Sequence, residues 1–282
     1  MKKKIIFIIL VIIFIIVLFL IPKDTYKKIF GNNTQDDVLN EIYNESIMVY
    51  MVDENNMLVG VNAFVESLEE DIINQKFDIL IKETGVFKEK YDTTINTMTK
   101  LLDHNLEKDV LTLNLSKEFL ESEGRISLEQ IVWSFCGDDV KSINLMVDGE
   151  KINCLNGFYF DKLNREMGIN ITYESGFVFE SKTTTVIEYV GSIVKPVTYV
   201  YYDESECDFI VSKLLKEFYD NKEYDYVISN DSIIIDLATD TSLSDNTKKS
   251  IAETIKYNMD INNIQIQGLN QVLLEINENT GL

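Results

Sequence analysis

The chain has 282 residues, 45% hydrophobic and 11% aromatic, with 2 Pro and 12 Gly. That is enough apolar mass for the cores of two ordinary domains, and too little Gly and Pro for collagen-like or disordered classes. It carries 26 Lys and Arg against 47 Asp and Glu; residues 1–28 hold six Lys and one acid, which leaves 20 basic and 46 acidic side chains elsewhere. A surface of that sign repels phosphate backbones and anionic lipid heads, which excludes nucleic acid as a partner and stands the body of the protein off a membrane.

Lys2, Lys3 and Lys4 precede an unbroken apolar run of 17 residues, 5–21. At about 1.5 Å per residue the run reaches roughly 25 Å, slightly short of a bilayer core of about 30 Å, and flanking lysines snorkel to make up the difference. No Ala-x-Ala cleavage site lies between Leu18 and Gly31, and no Cys follows the run. Residues 1–28 therefore read as an uncleaved, single-pass anchor in the cell membrane, not a secretory peptide or lipoprotein leader. The positive-inside rule puts the amino terminus in the cytoplasm and everything after it outside. Residues 29–45, centred on Gly31-Asn32-Asn33-Thr34, form a polar tether.

Folded patterning begins at Ile47. Residues 48–52 and 57–65 read as a hairpin around Asp53-Glu54-Asn55-Asn56, and residues 67–81 as a helix through Leu68, Ile72, Ile73 and Phe77. Residues 86–108 are polar, with Leu101 and Leu102 as apolar islands. Leu111, Leu113 and Leu115 alternate with Thr112 and Asn114, the period of a half-buried strand. Ser127 and Gln130 match the capping box of a helix whose stripe is Leu128, Ile131, Val132 and Phe135, with Gly137 as its stop. Ile143, Leu145 and Val147 follow on one strand face, and Asp148-Gly149 predicts a tight turn. Residues 152–194 suggest further strands.

The order then recurs: a strand over 197–202, a helix over 207–220, a strand over 232–237, a helix over 244–259 and closing strands over 263–266 and 271–276. Three landmarks mark the duplication. Val49-Tyr50-Met51-Val52-Asp53 answers Val200-Tyr201-Tyr202-Asp203, Leu111-Thr112-Leu113 answers Ile233-Ile234-Ile235, and the helix with its strand over 127–147 answers 244–266. On this reading residues 86–108 are an insertion, most of which the second copy lacks. The domains are 46–194 and 195–282.

The stretch from Val110 through Leu115 to Ser116-Lys117-Glu118-Phe119 resembles the strand and "S-x-x-F" exit of the GerMN domain. Residues 127–133 resemble that domain's helix, and 140–149, ending Val147-Asp148-Gly149, its closing strand. The likeness is clearest over 110–152 and thinner over 47–85 and 196–276, where Gln267-Gly268-Leu269 replaces the Val-Asp-Gly ending. The resemblance implies an α+β fold: two tandem mixed-sheet modules of the GerMN, or ring-building, kind behind a transmembrane helix. It also implies no catalytic residues and a place in an envelope assembly of sporulation or germination, such as the channel between mother cell and forespore. Partners would be other envelope proteins or further copies of the chain.

Residue chemistry points the same way. His104 is the single His, so any Ser-His-Asp or Cys-His site would have to use it, and it sits in a polar segment. Cys136, Cys154 and Cys207 lack zinc-ligand spacing; Cys136 and Cys154 could pair, or all three could be buried apolar groups. Asp53-Glu54-Asn55 lacks the Gly and distal Glu of a calcium loop. Glu69-Glu70 and Asp138-Asp139 read as solvated charge, and Trp133 lies one position off the apolar stripe. No catalytic, cofactor-binding or metal-ligating set emerges. The alternatives are a peptidoglycan-acting envelope enzyme that uses carboxylates and an outer ligand-binding sensor domain.

Overall fold

The computed structural model describes residues 45–65, 71–81, 90–137, 139–174, 180–202, 204–239 and 242–277. The expected membrane anchor and nearly all of the tether lie outside these residues. No helix among those described is long and apolar enough to cross a membrane. The contacts described below lie among residues 47–63 and 68–277.

The first module runs β1 (Glu45–Val52), β2 (Leu58–Val65), α1 (Ile72–Ile81), β3 (Leu101–Glu107), β4 (Val110–Leu115), α2 (Arg125–Phe135), β5 (Ser142–Val147) and β6 (Glu150–Lys151). Three short strands follow: β7 (Cys154–Leu155), β8 (Phe158–Tyr159) and β9 (Thr172–Tyr173). The second module repeats the order as β10 (Lys182–Val190), β11 (Ile193–Tyr201), α3 (Glu206–Leu214), α4 (Lys216–Asn221), β12 (Tyr224–Ser229), β13 (Ser232–Leu237), α5 (Asp245–Met259), β14 (Asn263–Gln267) and β15 (Val272–Ile276).

Pairing repeats with it. In the first module β3 runs antiparallel to β4, β4 parallel to β5, and β5 antiparallel to β6. In the second, β12, β13, β14 and β15 pair in the same sequence of directions. The fold is therefore α+β with small mixed sheets in tandem. Each parallel step needs a crossover, which α2 and α5 provide. Leu111, Leu113 and Leu115 on β4, Ile143, Leu145 and Val147 on β5, and the predicted stripe of α2 are all buried. Ile233, Ile235 and Leu237 pack with Ile251, Ile255, Ile264 and Ile266 in the second core. Asp148 and Gly149 both take positive φ, as the predicted two-residue turn demands.

The sequence reading needs five corrections. The single helix expected over 207–220 is two, α3 and α4, parted at Leu215, which leaves helical geometry at φ −131° and ψ 45°. Residues 101–107 are a strand rather than part of an insertion, and β12 is its counterpart. The stretch Leu-Leu-Asp-His-Asn-Leu-Glu hides its period because a bulge interrupts β3 between Leu101 and Asp103. The first landmark is also out of step, since order and pairing equate β1 with β10, whereas Val200 and Tyr201 close β11. Ser127 caps nothing. The helix begins earlier, at Arg125 behind Gly124, and the Ser127 hydroxyl donates to the Thr94 carbonyl. Gly137 is not the cap residue either, a position Cys136 takes in extended conformation. Separately, position 194/195 falls inside β11, which pairs with β10 along its whole length.

The two hairpins join in one sheet of order β1-β2-β11-β10, with β9 alongside β11. The seam is the Gly60–Val194 pair of β2 and β11. A Cβ on residue 60 would lie 3.1 Å from Val194 Cβ and 2.9 Å from Met48 Sδ, so only glycine lets the strands approach this closely.

Each outer edge of this sheet is covered by its own module's helix. On β10, the backbone N–H groups of Thr185, Ile187 and Tyr189 donate to Asn258 Oδ1, Thr254 Oγ1 and Ser250 Oγ of α5. Asn258 Nδ2 and Thr254 Oγ1 donate in return to the Thr185 and Ile187 carbonyls. Four helical residues rise about 6 Å and two strand residues about 6.6 Å, so a polar stripe at every fourth helix position tracks alternate strand residues. On β1, Tyr50 N–H donates to Ser134 Oγ and Gln130 Nε2 to the Tyr50 carbonyl.

Candidate functional site

Most residues singled out in the sequence are engaged in structure. His104 lies on β3 with Nε2 2.7 Å from Asp71 Oδ2. Asp71 also accepts the Ile73 and Asn74 N–H groups that open α1. Burial pushes the Asp71 carboxyl up, but the bonds from His104 and the helix N–H groups outweigh it and hold it below the usual range. Asp53 Oδ1 accepts the Asn55 and Met57 N–H groups, a turn rather than an ion loop.

Cys136, Cys154 and Cys207 are free thiols. Burial pushes Cys136 up to about 11 and Cys207 up to about 12, so neither is a ready nucleophile near neutral pH. Trp133 is buried at the junction of the modules. Glu69, Glu70 and Asp138 lie outside the described residues, so neither carboxylate pair is described whole. Among the described residues no three His, Cys, Asp or Glu side chains gather as a metal site.

The structure instead assembles a hollow in the second module that the sequence reading missed. Ser205 caps α3, its Oγ accepting the Asp208 N–H at 3.0 Å, which fixes Asp208 in the first turn. Helix α4 ends at Lys222 in the left-handed conformation, φ 57°, and turns the chain into β12. Tyr224 and Tyr226 face the helices, because they stand opposite the core residues Leu237 and Ile235.

Both tyrosines reach Asp208. The Tyr224 hydroxyl donates to Oδ1 at 2.7 Å, and Tyr226 to Oδ2 at 3.4 Å. Ser205 Oγ also donates to Oδ2, at 2.6 Å. Tyr219 stacks on Tyr224 with ring centroids 6.1 Å apart, and its hydroxyl donates to Glu204 Oε1. With Asp220, Lys222 and Asp225 these groups line a cavity of about 590 Å³.

The chemistry of the hollow follows from that wiring. Burial, then the bond to Asp208, pushes the Tyr224 hydroxyl well above its ordinary range. The bond to Glu204, then burial, pushes the Tyr219 hydroxyl up as well. Asp208 and Glu204 are held in place by the hydroxyls that donate to them. Glu206 is pushed up by burial, but it bonds Thr184 Oγ1 at 3.0 Å and does not line the cavity. An anionic hollow with aromatic walls suits a cationic group.

The sign of its pH response is fixed. A tyrosine whose folded pKa is raised contributes stability below its unfolded value, 10.0, and loses it as pH rises from there through the folded value. Thermal midpoints between about pH 9 and pH 12 should therefore fall, and should fall less steeply in Tyr224→Phe. Identical slopes in the two proteins would show that this hydroxyl is not coupled to Asp208.

One signal for the hollow was present: Tyr224 and Tyr226 alternate with Asp225 and Val227. The same device stands in the first module, where His104 occupies the register position of Tyr226. His104 pairs with Leu113, and Tyr226 with Ile235. In each module a polar ring on β3 or β12 ties down an acid at the start of a helix, Asp71 just ahead of α1 and Asp208 in the first turn of α3.

Comparison with known proteins gives the following. The profile of the Germane family, described as sporulation and spore germination, matches residues 48–153. The structure is similar to the tandem GerMN domains of the sporulation protein GerM from Bacillus subtilis, with a TM-score of 0.66 and 15% identity over 83% of this chain and 99% of that one. The first GerMN domain of the same protein aligns over 43% of this chain and 98% of that one at 14% identity, with a TM-score of 0.38. No curated protein sequence matches the chain.

Proposed function

We infer, from the premise that this chain is a GerMN-domain protein of the Germane family, that it is a sporulation-related docking protein of the cell envelope. It is held by a single amino-terminal membrane segment, with both modules outside the cytoplasm, and it works through its surfaces rather than by catalysis. Its partners are other envelope proteins of a sporulation or germination complex.

The observation that carries this reading is where the polar side chains go. Gln130, Ser134, Ser250, Thr254 and Asn258 cover sheet edges, and Asp71, Asp208 and their ring partners fasten helices to strands. The duplicated scaffold thus spends its polar groups on shape, as a docking platform requires. The apolar run 5–21 behind Lys2–Lys4 supports the anchor.

The Tyr and carboxylate hollow favours one alternative, an envelope enzyme acting through Asp208. One measurement tests the topology that both readings share, and a second separates them. Alkaline phosphatase fused after residue 282 should be active in cells, while a β-galactosidase fusion at the same point should be inactive; the reverse would place the modules in the cytosol. The purified full-length chain should leave peptidoglycan intact. Turnover that vanishes in Asp208→Asn would establish the enzyme instead.

A further inference from the structure

The fold treats its sheet edges unequally. β1 and β10 are covered by helix side chains. β3 and β15 are broken by register shifts, between Leu101 and Asp103 and between Ile266 and Gln267, and β6 is two residues long. Bulges, short strands and covering helices are the devices by which proteins keep edges from pairing with other chains.

β12 has none of them. It ends its sheet among the described residues and pairs with β13 in unbroken register from Tyr224 to Ser229. It contains no Pro and no Lys, and it exposes Val227 at 60% and Ile228 at 44%. Its outward hydrogen-bonding positions are set by the ladder. The Tyr226 N–H points away from β13 and is held by Asp225 Oδ1 at 2.8 Å, a side chain occupying the place of a neighbouring strand's carbonyl. Two residues on, Ile228 has the same orientation.

We propose that β12 takes up an extended segment of a partner protein as an added strand, and that this segment carries Lys or Arg at alternate positions facing the hollow beside Tyr226. The incoming carbonyl replaces Asp225 at the Tyr226 N–H, and the freed carboxylate turns to the basic side chain. The intervening residues of the segment are apolar and lie beside Val227, as same-face neighbours in a sheet do.

Charge decides the occupant. A second copy of this chain would set Asp220, Glu223 and Asp225 against themselves in a protein of net charge −21. A basic segment meets complementary charge and cation-binding tyrosine faces.

The probe is a fluorescent hexapeptide, acetyl-Thr-Lys-Val-Lys-Val-Thr-amide, titrated into the full-length chain in detergent micelles. Saturable binding that weakens with salt is expected. Ile228→Pro, which removes an outward N–H, should weaken it at least about tenfold, and so should Asp220→Asn combined with Asp225→Asn. A peptide with Glu in place of Lys should not bind.

Equal binding of both peptides, binding untouched by both variants, or no binding at about 1 mM would overturn the proposal. So would a dimer that Ile228→Pro dissolves while the peptide fails to bind. If circular dichroism shows that the proline variant is unfolded, the carboxylate variant decides alone.

The proposal rests on the reading of the chain as a docking protein, and the two fail separately. A chain that bound the probe yet turned over peptidoglycan would refute that reading and leave this site standing. A chain without turnover whose β12 refused the probe would do the opposite.

Discussion

Trp133→Ala is expected to destabilise the protein by about 3–5 kcal/mol, the range for truncating a fully buried large aromatic side chain. Trp133 is 1% exposed. Its ring meets Tyr50 edge-on at 5.5 Å and Tyr257 at 5.6 Å, and the Arg165 guanidinium lies 4.7 Å from the ring centre. Its Nε1–H donates to the Gly168 carbonyl at 3.2 Å. Tyr50 and Trp133 belong to the first module and Tyr257 to α5 of the second, so this ring cluster joins the two. The Tyr257 hydroxyl strengthens the junction by donating to the Arg165 carbonyl.

Truncation at 133 should therefore do more than open a cavity: it should uncouple the modules. Urea unfolding followed by circular dichroism should show one transition in the native protein. In Trp133→Ala it should show a lower midpoint and a broadened or split curve. A loss below about 1 kcal/mol with a single sharp transition would mean that the Gly60–Val194 strand junction holds the modules together without the ring cluster.

The second large effect is expected at Gln130, a polar side chain that is fully buried in α2. Its Oε1 accepts from the Thr94 N–H at 3.0 Å and the Thr94 hydroxyl at 2.7 Å, while Nε2 donates to the Tyr50 carbonyl at 2.9 Å. Leu at this position keeps the volume and orphans these groups on two other segments. At about 1–3 kcal/mol for each buried group left unpaired, partly relieved by relaxation, Gln130→Leu should cost about 2–4 kcal/mol. It should also free the edge of β1, so amide exchange at Tyr50 should rise more than at Leu113. Thr254→Val is the matching test in the second module, where the Ile187 N–H and carbonyl would lose their partner. Unchanged stability in both variants would show that water serves these edges as well as the helices do.

Seen along the whole chain, these helices explain why their sequences look only modestly amphipathic. Ser250, Thr254 and Asn258 read as ordinary polar positions at helical spacing. They are instead buried or half-buried, and aimed at backbone that no local pattern announces. The duplication was legible because core strands alternate and crossover helices carry apolar stripes. Leu111-Leu113-Leu115 and Ile233-Ile235-Leu237 alternate alike and occupy equivalent strands, β4 and β13. β3 escaped notice because its bulge breaks the period, and with it went the match between His104 and Tyr226.

Sequence alone determined the elements whose burial is local and periodic: β4, α2, β5, the Asp148-Gly149 turn, β13 and α5. It also determined their tandem order, since apolar spacing is a property of each segment by itself. Only the tertiary structure decided which edges are covered and which is open, where Trp133 points, and that Asp208, Tyr219, Tyr224 and Tyr226 share one hollow. Those outcomes depend on hydrogen bonds and ring contacts between segments distant in the chain, such as Tyr50 with Ser134 and Thr185 with Asn258. Such pairings leave no period in the sequence, because each partner is an unremarkable polar residue until the fold brings the other beside it.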